Sequence, residues 1–192
     1  MNKPYSFLLA ACLLLTVPAA ALDHPGLAER STAPGRFPLV EKGVPAAVVT
    51  DPADKRGVLI AAASLREDFA RVCGVKAPEQ GARVIYAGTK ESALIKRLAS
   101  EGRIDTSALN GQYETYILQV TDQMVIIAGA DMRGTIYGIY EISEQMGVSP
   151  WYDWADVPVP HSTDLSLASG TYTVPQPASG TGASSSTTRP PA

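Results

Sequence analysis

Histidine, cysteine and positive charge are all scarce in this 192-residue chain, and each shortage removes a class of function. The two histidines, His24 and His161, have no cysteine and no second histidine near them in sequence. Zinc sites need such spacings, so neither a metal nor a cofactor is expected. Of the two cysteines, Cys12 lies in the N-terminal apolar run and leaves Cys73 alone. No intrachain disulfide is expected, and Cys73, near Phe69, Val72 and Val75, reads as a small core hydrophobe. Sixteen Lys and Arg face nineteen Asp and Glu, a formal net charge of −3. That balance provides no electrostatic footprint for nucleic acid or an anionic membrane surface. After residue 17 no stretch approaches the roughly 20 apolar residues a membrane-crossing helix needs. Serines and acids are plentiful, but nothing marks one serine as activated, so no Ser-His-Asp set is arguable.

What is present begins with an export signal. Lys3 supplies a short positive region, Phe7 to Val17 is apolar apart from Thr16, and Ala19-Ala20-Ala21 is the small-residue pattern that signal peptidase reads. Cleavage after Ala21 and a secreted or periplasmic location are expected. Leu9-Ala10-Ala11-Cys12 resembles a lipoprotein box, but it sits too early and the apolar run continues past it.

Residues 22–36 carry prolines, glycines and charges without periodicity and read as a leader. Apolar runs at 37–41 and 46–50 are strand candidates. Asp51-Pro52 breaks the chain, and a helix is expected over 54–72. There Val58, Ala61, Ala62, Leu65, Phe69 and Val72 recur every three or four residues, and Gly74 ends the pattern. A buried strand at 83–87 precedes a second helix over 90–100, stopped by Gly102. Strands at 113–120 and 124–128 flank the turn Thr121-Asp122-Gln123. The third helix runs over 132–146, with Asp131 as N-cap and Gly147 and Pro150 beyond its end. A last strand covers 165–173. The order β-β-α-β-α-β-β-α-β implies an α/β (α+β sandwich) fold, one mixed β-sheet flanked by about three helices. From Pro175 the chain has no aromatic and no aliphatic side chain larger than alanine, so 174–192 is expected to be a disordered Pro/Ser/Thr/Gly-rich tail.

Two motifs compete for a chemical reading. Gly129-Ala-Asp-Met-Arg-Gly134-Thr135 leaves a strand and enters a helix as a phosphate loop does. It has no lysine before Thr135, and Asp131 puts negative charge where phosphates must lie. It reads instead as a capped strand-to-helix turn, with Gly134 and Gly138 letting the helix approach the sheet. The second motif is Trp151-Tyr152-Asp153-Trp154 with Asp156. Aromatic faces stack on sugar rings, and paired acids serve glycosidases. Asp153 and Asp156 lie three apart on one segment, however, and a glycosidase presents its acids from opposite sides of the bond. The five residues read better as an aromatic docking seam with hydrogen-bonded acids, and no catalytic residue is assigned.

"GADMRGTIYGIYEISEQMGVSPWYDWADVPV" resembles the signature near the end of the N-terminal domain of glycoside hydrolase family 115, the xylan α-1,2-glucuronidases. The likeness extends back through "SLREDFARVCG", "VIYAGTKESALIKRL", "RIDTSALNGQYETYILQV" and "MVIIAGADMRG", covering 37–173. The resemblance implies an α/β accessory domain similar to that of β-hexosaminidases, packed in family members against a (β/α)8 barrel that holds the catalytic acids. It also implies removal of glucuronic acid or its 4-O-methyl form from xylan. This chain turns to low-complexity sequence where a family member enters its first barrel strand, so a domain truncated before the barrel, and silent alone, is the expectation. The implied partners are that barrel, absent from this chain, and a xylan-type carbohydrate. The alternative is a non-catalytic carbohydrate-binding or protein-interaction module with Trp151 and Trp154 as its platform.

Overall fold

A computed structural model describes residues 26–174, without the side chain of Asp153. The expected signal peptide, His24 and residues 175–192 of the expected tail lie outside the described residues.

Among the described residues there are nine strands and four α-helices. The strands are β1 (Ala28–Glu29), β2 (Arg36–Glu41), β3 (Val44–Pro45), β4 (Ala47–Thr50), β5 (Val84–Thr89), β6 (Tyr116–Val120), β7 (Met124–Gly129), β8 (Leu165–Ala168) and β9 (Gly170–Val174). The helices are α1 (Arg56–Cys73), α2 (Ala93–Ser100), α3 (Met132–Gln145) and the single turn α4 (Tyr152–Ala155). A mixed five-stranded sheet has the order β4-β5-β7-β6-β9. Within it β4, β5 and β7 run parallel, while β6 is antiparallel to both its neighbours.

Side-chain alternation divides this sheet between two cores. From β7, Val125 and Ile127 join the core under α1 and α3, and Ile126 and Ala128 join a smaller one under α2. On β6, Tyr116, Leu118 and Val120 take the first side and Ile117 the second. Helix α1 reaches the sheet through Val58, Ala61, Leu65, Phe69 and Val72, the stripe its periodicity predicts. Leu109, at the end of a short 3-10 turn (Ser107–Leu109), closes the smaller core.

Gly74 and Asp131 end and begin their helices as expected, while α2 starts at Ala93 rather than at residue 90, behind a Ser92 cap that the sequence reading does not name. Gly74 sits in the left-handed region at φ 79° with its N–H bonded to Ala70 O, and Ser92 Oγ accepts from Ile95 N at the start of α2. Asp131 caps α3, its carboxylate accepting from Gly134 N at 2.8 Å and from Glu114 N at 3.0 Å. The Gly129–Thr135 turn is thus a capped turn, with its acid spent on backbone donors. Asp51, after β4, accepts from Ala53 N at 2.9 Å and Ala93 N at 2.8 Å. The Ala53 bond is the main reason its carboxyl lies below the ordinary value, although burial pushes the other way.

Two features differ from the sequence reading. A single sheet is expected from the pattern, yet a second, antiparallel sheet of order β1-β8-β2-β3 is present. The expected strand over 165–173 supplies both sheets, because the chain passes from β8 to β9 at Ser169. Only Ser169 separates Leu165–Ala168 from the threonine- and tyrosine-rich Gly170–Val174, so sequence alone runs them together. Part of the expected leader also joins the fold. Leu27 is buried and β1 pairs with β8. Arg36 fastens this segment, donating to Leu27 O at 2.8 Å and to Ser166 Oγ at 2.9 Å, while Ser166 Oγ donates to Ser31 O at 2.6 Å. Polar fastening of this kind leaves no hydrophobic period to read.

Helix α3 approaches the sheet closely at its glycines. A Cβ on Gly138 would lie 2.6 Å from Ile127 Cγ2 and 2.9 Å from the Tyr116 ring, and one on Gly134 would overlap the Thr115 carbonyl. Gly138→Ala should therefore destabilise the domain by about 1–3 kcal/mol through overpacking, despite alanine's better helix propensity. Thermal unfolding checks this. An unchanged or raised Tm would show that α3 can lift off the sheet at no cost.

Candidate functional site

Helices α1 and α3 lie side by side on one face of the five-stranded sheet, and a polar group is buried where a purely apolar seam is expected. Asp68 occupies an inward position of α1, three residues from Leu65 and four from Val72, and is 5% exposed. A buried carboxylate needs partners. Its Oδ2 accepts from Ser143 Oγ of α3 at 2.7 Å, and its Oδ1 accepts from Arg71 Nη1 at 2.6 Å. On α3, Glu141 Oε1 accepts from Gln145 Nε2 at 2.8 Å, and Tyr116 Oη lies 3.5 Å from Glu141 Oε2. Gln145 Oε1 in turn accepts from Ala28 N at 3.1 Å, so the network reaches the first strand of the second sheet.

Arg71 carries this order outward. Its guanidinium lies 4.8 Å from the centroid of the Tyr152 ring, a cation–π distance. Burial works against its charge, but the bond and the charge of Asp68 outweigh that, and its pKa lies above the ordinary arginine value. The pair borders a cleft of about 580 Å3 between α1 and α3, whose walls include Ser64, Glu67, Tyr137, Tyr140, Glu144 and Pro150. A second hollow is lined by Arg71 and Tyr152 together with Asp156 to Val159.

Of the aromatic motif, Tyr152 lines this cleft. Tyr152 is half-buried beneath Arg71, while Trp151 is 66% and Trp154 87% exposed. Trp151 precedes the turn, its N–H donating to Ser149 Oγ at 3.1 Å, and Trp154 N donates to Trp151 O at 3.1 Å. Asp156 ends the turn in the left-handed region at φ 47° and is exposed. Asp153 lies in α4 by its backbone, and its side chain lies outside the description. Tyr137 at 40% and Tyr140 at 43% exposure extend the aromatic surface along α3.

Reading the motif alone overlooks Asp68, Arg71, Glu141 and Ser143. The available signal is a charged or polar residue on the apolar stripe of an amphipathic helix, which Asp68 displays among Leu65, Phe69 and Val72. Arg71 carries no such mark. Cys73 is buried, with its Sγ 3.5 Å from Val75 O. Among the described residues no group of three or more His, Cys, Asp and Glu is placed to hold a metal, and no helix is long and apolar enough to cross a membrane.

Solved structures resemble this arrangement. A family GH115 4-O-methyl-α-glucuronidase with specificity for decorated arabinogalactans superposes with a TM-score of 0.62 at 30% identity, over 71% of this chain and 18% of that one. The chain thus spans less than a fifth of that enzyme's length. A Streptomyces plicatus β-hexosaminidase matches over 77% of this chain and 24% of its own, at 13% identity and a TM-score of 0.43, too slight a likeness to carry an argument. No family model and no curated protein matches the chain. The chain holds a glycoside-hydrolase-related domain with a GH115-like fold.

The Asp68–Ser143 bond is a direct polar tie between α1 and α3, and hydrogen bonds to charged groups contribute about 1.5–3 kcal/mol. Ser143→Ala should lower Tm by roughly 3–12 °C, at about 2–4 °C per kcal/mol for a domain of this size. A Tm within error of the parent would mean that water or a neighbour replaces the hydroxyl without loss.

Proposed function

We propose that this is the accessory domain of an exported α-glucuronidase-type glycoside hydrolase, non-catalytic by itself, which docks onto a (β/α)8 catalytic barrel through Trp151, Tyr152, Asp153, Trp154 and Asp156. The observation that carries the reading is the exposure of two tryptophans on a turn that is held in place by the Arg71–Tyr152 contact. Exposed aromatic patches of a few hundred Å2 mark interaction sites on soluble proteins. Rigid aromatic anchors also supply most of the energy of such interfaces. The GH115-like fold supports the choice of partner and of substrate class, a polysaccharide carrying glucuronic acid or its 4-O-methyl form, with glucuronoxylan the first candidate.

The acids support the non-catalytic half of the reading. Inverting hydrolysis needs an acid and a base about 6.5–9.5 Å apart on opposite sides of the bond, and a retaining pair about 5–5.5 Å apart. Asp68 is committed to Ser143 and Arg71, Asp51 and Asp131 to backbone N–H groups, and Asp54 to Thr89. Asp156 stands exposed on a turn.

The test combines the purified chain with a separately expressed barrel from a family GH115 enzyme. Alone, the chain should release no glucuronic acid from glucuronoxylan oligosaccharides. With the barrel it should form a complex that shifts tryptophan emission to the blue. Trp154→Ala should weaken that complex by about 30-fold or more, the loss of an anchor worth about 2 kcal/mol. Turnover by the chain alone that disappears in Asp153→Asn/Asp156→Asn would overturn the non-catalytic reading. A monomeric chain that ignores the barrel would overturn the docking one.

A further inference from the structure

The turn after the short 3-10 segment is exposed and carries the dipeptide Asn110-Gly111. Apart from Asn2 in the expected signal peptide, Asn110 is the only asparagine in the sequence. It takes no part in the docking residues or in the lining of the cleft. Asn110 adopts φ −72° and ψ 127° and Gly111 φ 71°, the pattern of a type II turn with glycine at its third position. A Cβ on Gly111 is absent, so its nitrogen is open to close approach. Among the described residues the Gly111 N–H donates to no backbone acceptor. The turn is closed by the bond from Gln112 N to Leu109 O, long at 3.4 Å. An unengaged backbone nitrogen thus follows an exposed carboxamide with no side chain to shield it.

We propose that Asn110 is a site of spontaneous deamidation, with solvent water as the co-reactant, and that its isoaspartyl product loosens the smaller core. The Gly111 nitrogen gives up its proton to solvent base and attacks Asn110 Cγ. The new N–Cγ bond forms, the Cγ–Nδ2 bond breaks and ammonia leaves, which closes a five-membered succinimide. Water then opens the ring on either side. Breaking the N–Cγ bond yields aspartate; breaking the original peptide C–N bond yields isoaspartate, with the chain rerouted through Cγ. The turn sets the rate. At ψ 127° the Gly111 nitrogen is rotated away from the Asn110 Cβ, so the turn must open before the ring can close. Lys90 Nζ restrains that opening, donating to Leu109 O at 3.2 Å and to Asn110 Oδ1 at 3.4 Å. The two products differ in consequence. Leu109, fully buried, closes the smaller core beside this turn. Isoaspartate inserts a methylene into the main chain, within the span that the Gln112 N to Leu109 O bond closes. Aspartate leaves the backbone intact and puts a carboxylate beside Lys90, an exposed pair that contributes little.

Prolonged incubation of the whole chain in mildly alkaline buffer tests this, read by peptide mass and by methyl transfer from an isoaspartyl methyltransferase. The tryptic peptide 104–133 contains Asn110 and no other asparagine. It is expected to gain one mass unit and a methyl-accepting isoaspartate at residue 110, several-fold more slowly in the folded chain than in the isolated peptide. Asn110→Gln should block both signals, because glutamine would have to close a less favoured six-membered ring. The separated isoaspartyl form should melt several degrees below the parent, with Asn110→Asp within error of the parent. Absence of isoaspartate at residue 110 in the folded chain once the isolated peptide has converted, or an equal mass gain in Asn110→Gln, would overturn the site. Conversion as fast in the fold as in the peptide would overturn the restraint by the turn. A parent-like Tm in the isoaspartyl form would overturn the loosening of the core.

Discussion

One buried carboxylate ties the outer half of this domain together. Asp68 joins α1 to α3 through Ser143 and holds Arg71, whose guanidinium covers the ring of Tyr152. The four-residue α4 is a single helical turn, which is unstable on its own. Burying an ion pair costs desolvation, and an apolar pair of the same shape often contributes as much stability. What the carboxylate adds is direction. An apolar contact between α1 and α3 would not orient a guanidinium, and without that orientation the aromatic turn and the cleft beside it would lack a defined shape.

The two cores divide the work. The larger lies between the five-stranded sheet, α1, α3 and the four-stranded sheet, and sets where the two helices run. The smaller, under α2 with Leu109 and Ile126, covers the opposite face and contributes nothing to the cleft. Gly134 and Gly138 bring α3 down onto Thr115, Tyr116 and Ile127. That close approach places Glu141 within reach of the buried Tyr116 hydroxyl, so sheet packing and the polar network are one construction.

Much of the helical layout is legible in the sequence because the periods are clean. The stripe Val58–Val72, the Asp131 cap and the glycines at 74 and 147 are local signals, and each does in the structure what its chemistry implies. Sheet membership is not local. Leu165–Ala168 and Gly170–Val174 belong to different sheets, a fact set by the partners β2 and β6 more than a hundred and about fifty residues earlier. The fastening of residues 27–36 is hidden for the same reason, since it rests on Ser166 and Arg36 rather than on an apolar pattern. The tryptophans announce themselves by type alone. The cleft walls do not, because Arg71 and Glu144 look like ordinary solvent-facing residues until α1 and α3 are placed side by side.

Hydrogen exchange, followed amide by amide by NMR in the parent and in Asp68→Asn, tests the central claim most directly. Asparagine keeps the size of the side chain and removes the charge that holds Arg71. The account predicts faster exchange over residues 149–156 and at the facing turns of α1 and α3, while the amides of β5, β6 and β7 keep their protection. Unchanged exchange over 149–156 in a variant that has lost the Arg71 pairing would contradict it, and would mean that the aromatic turn is held by something other than Asp68.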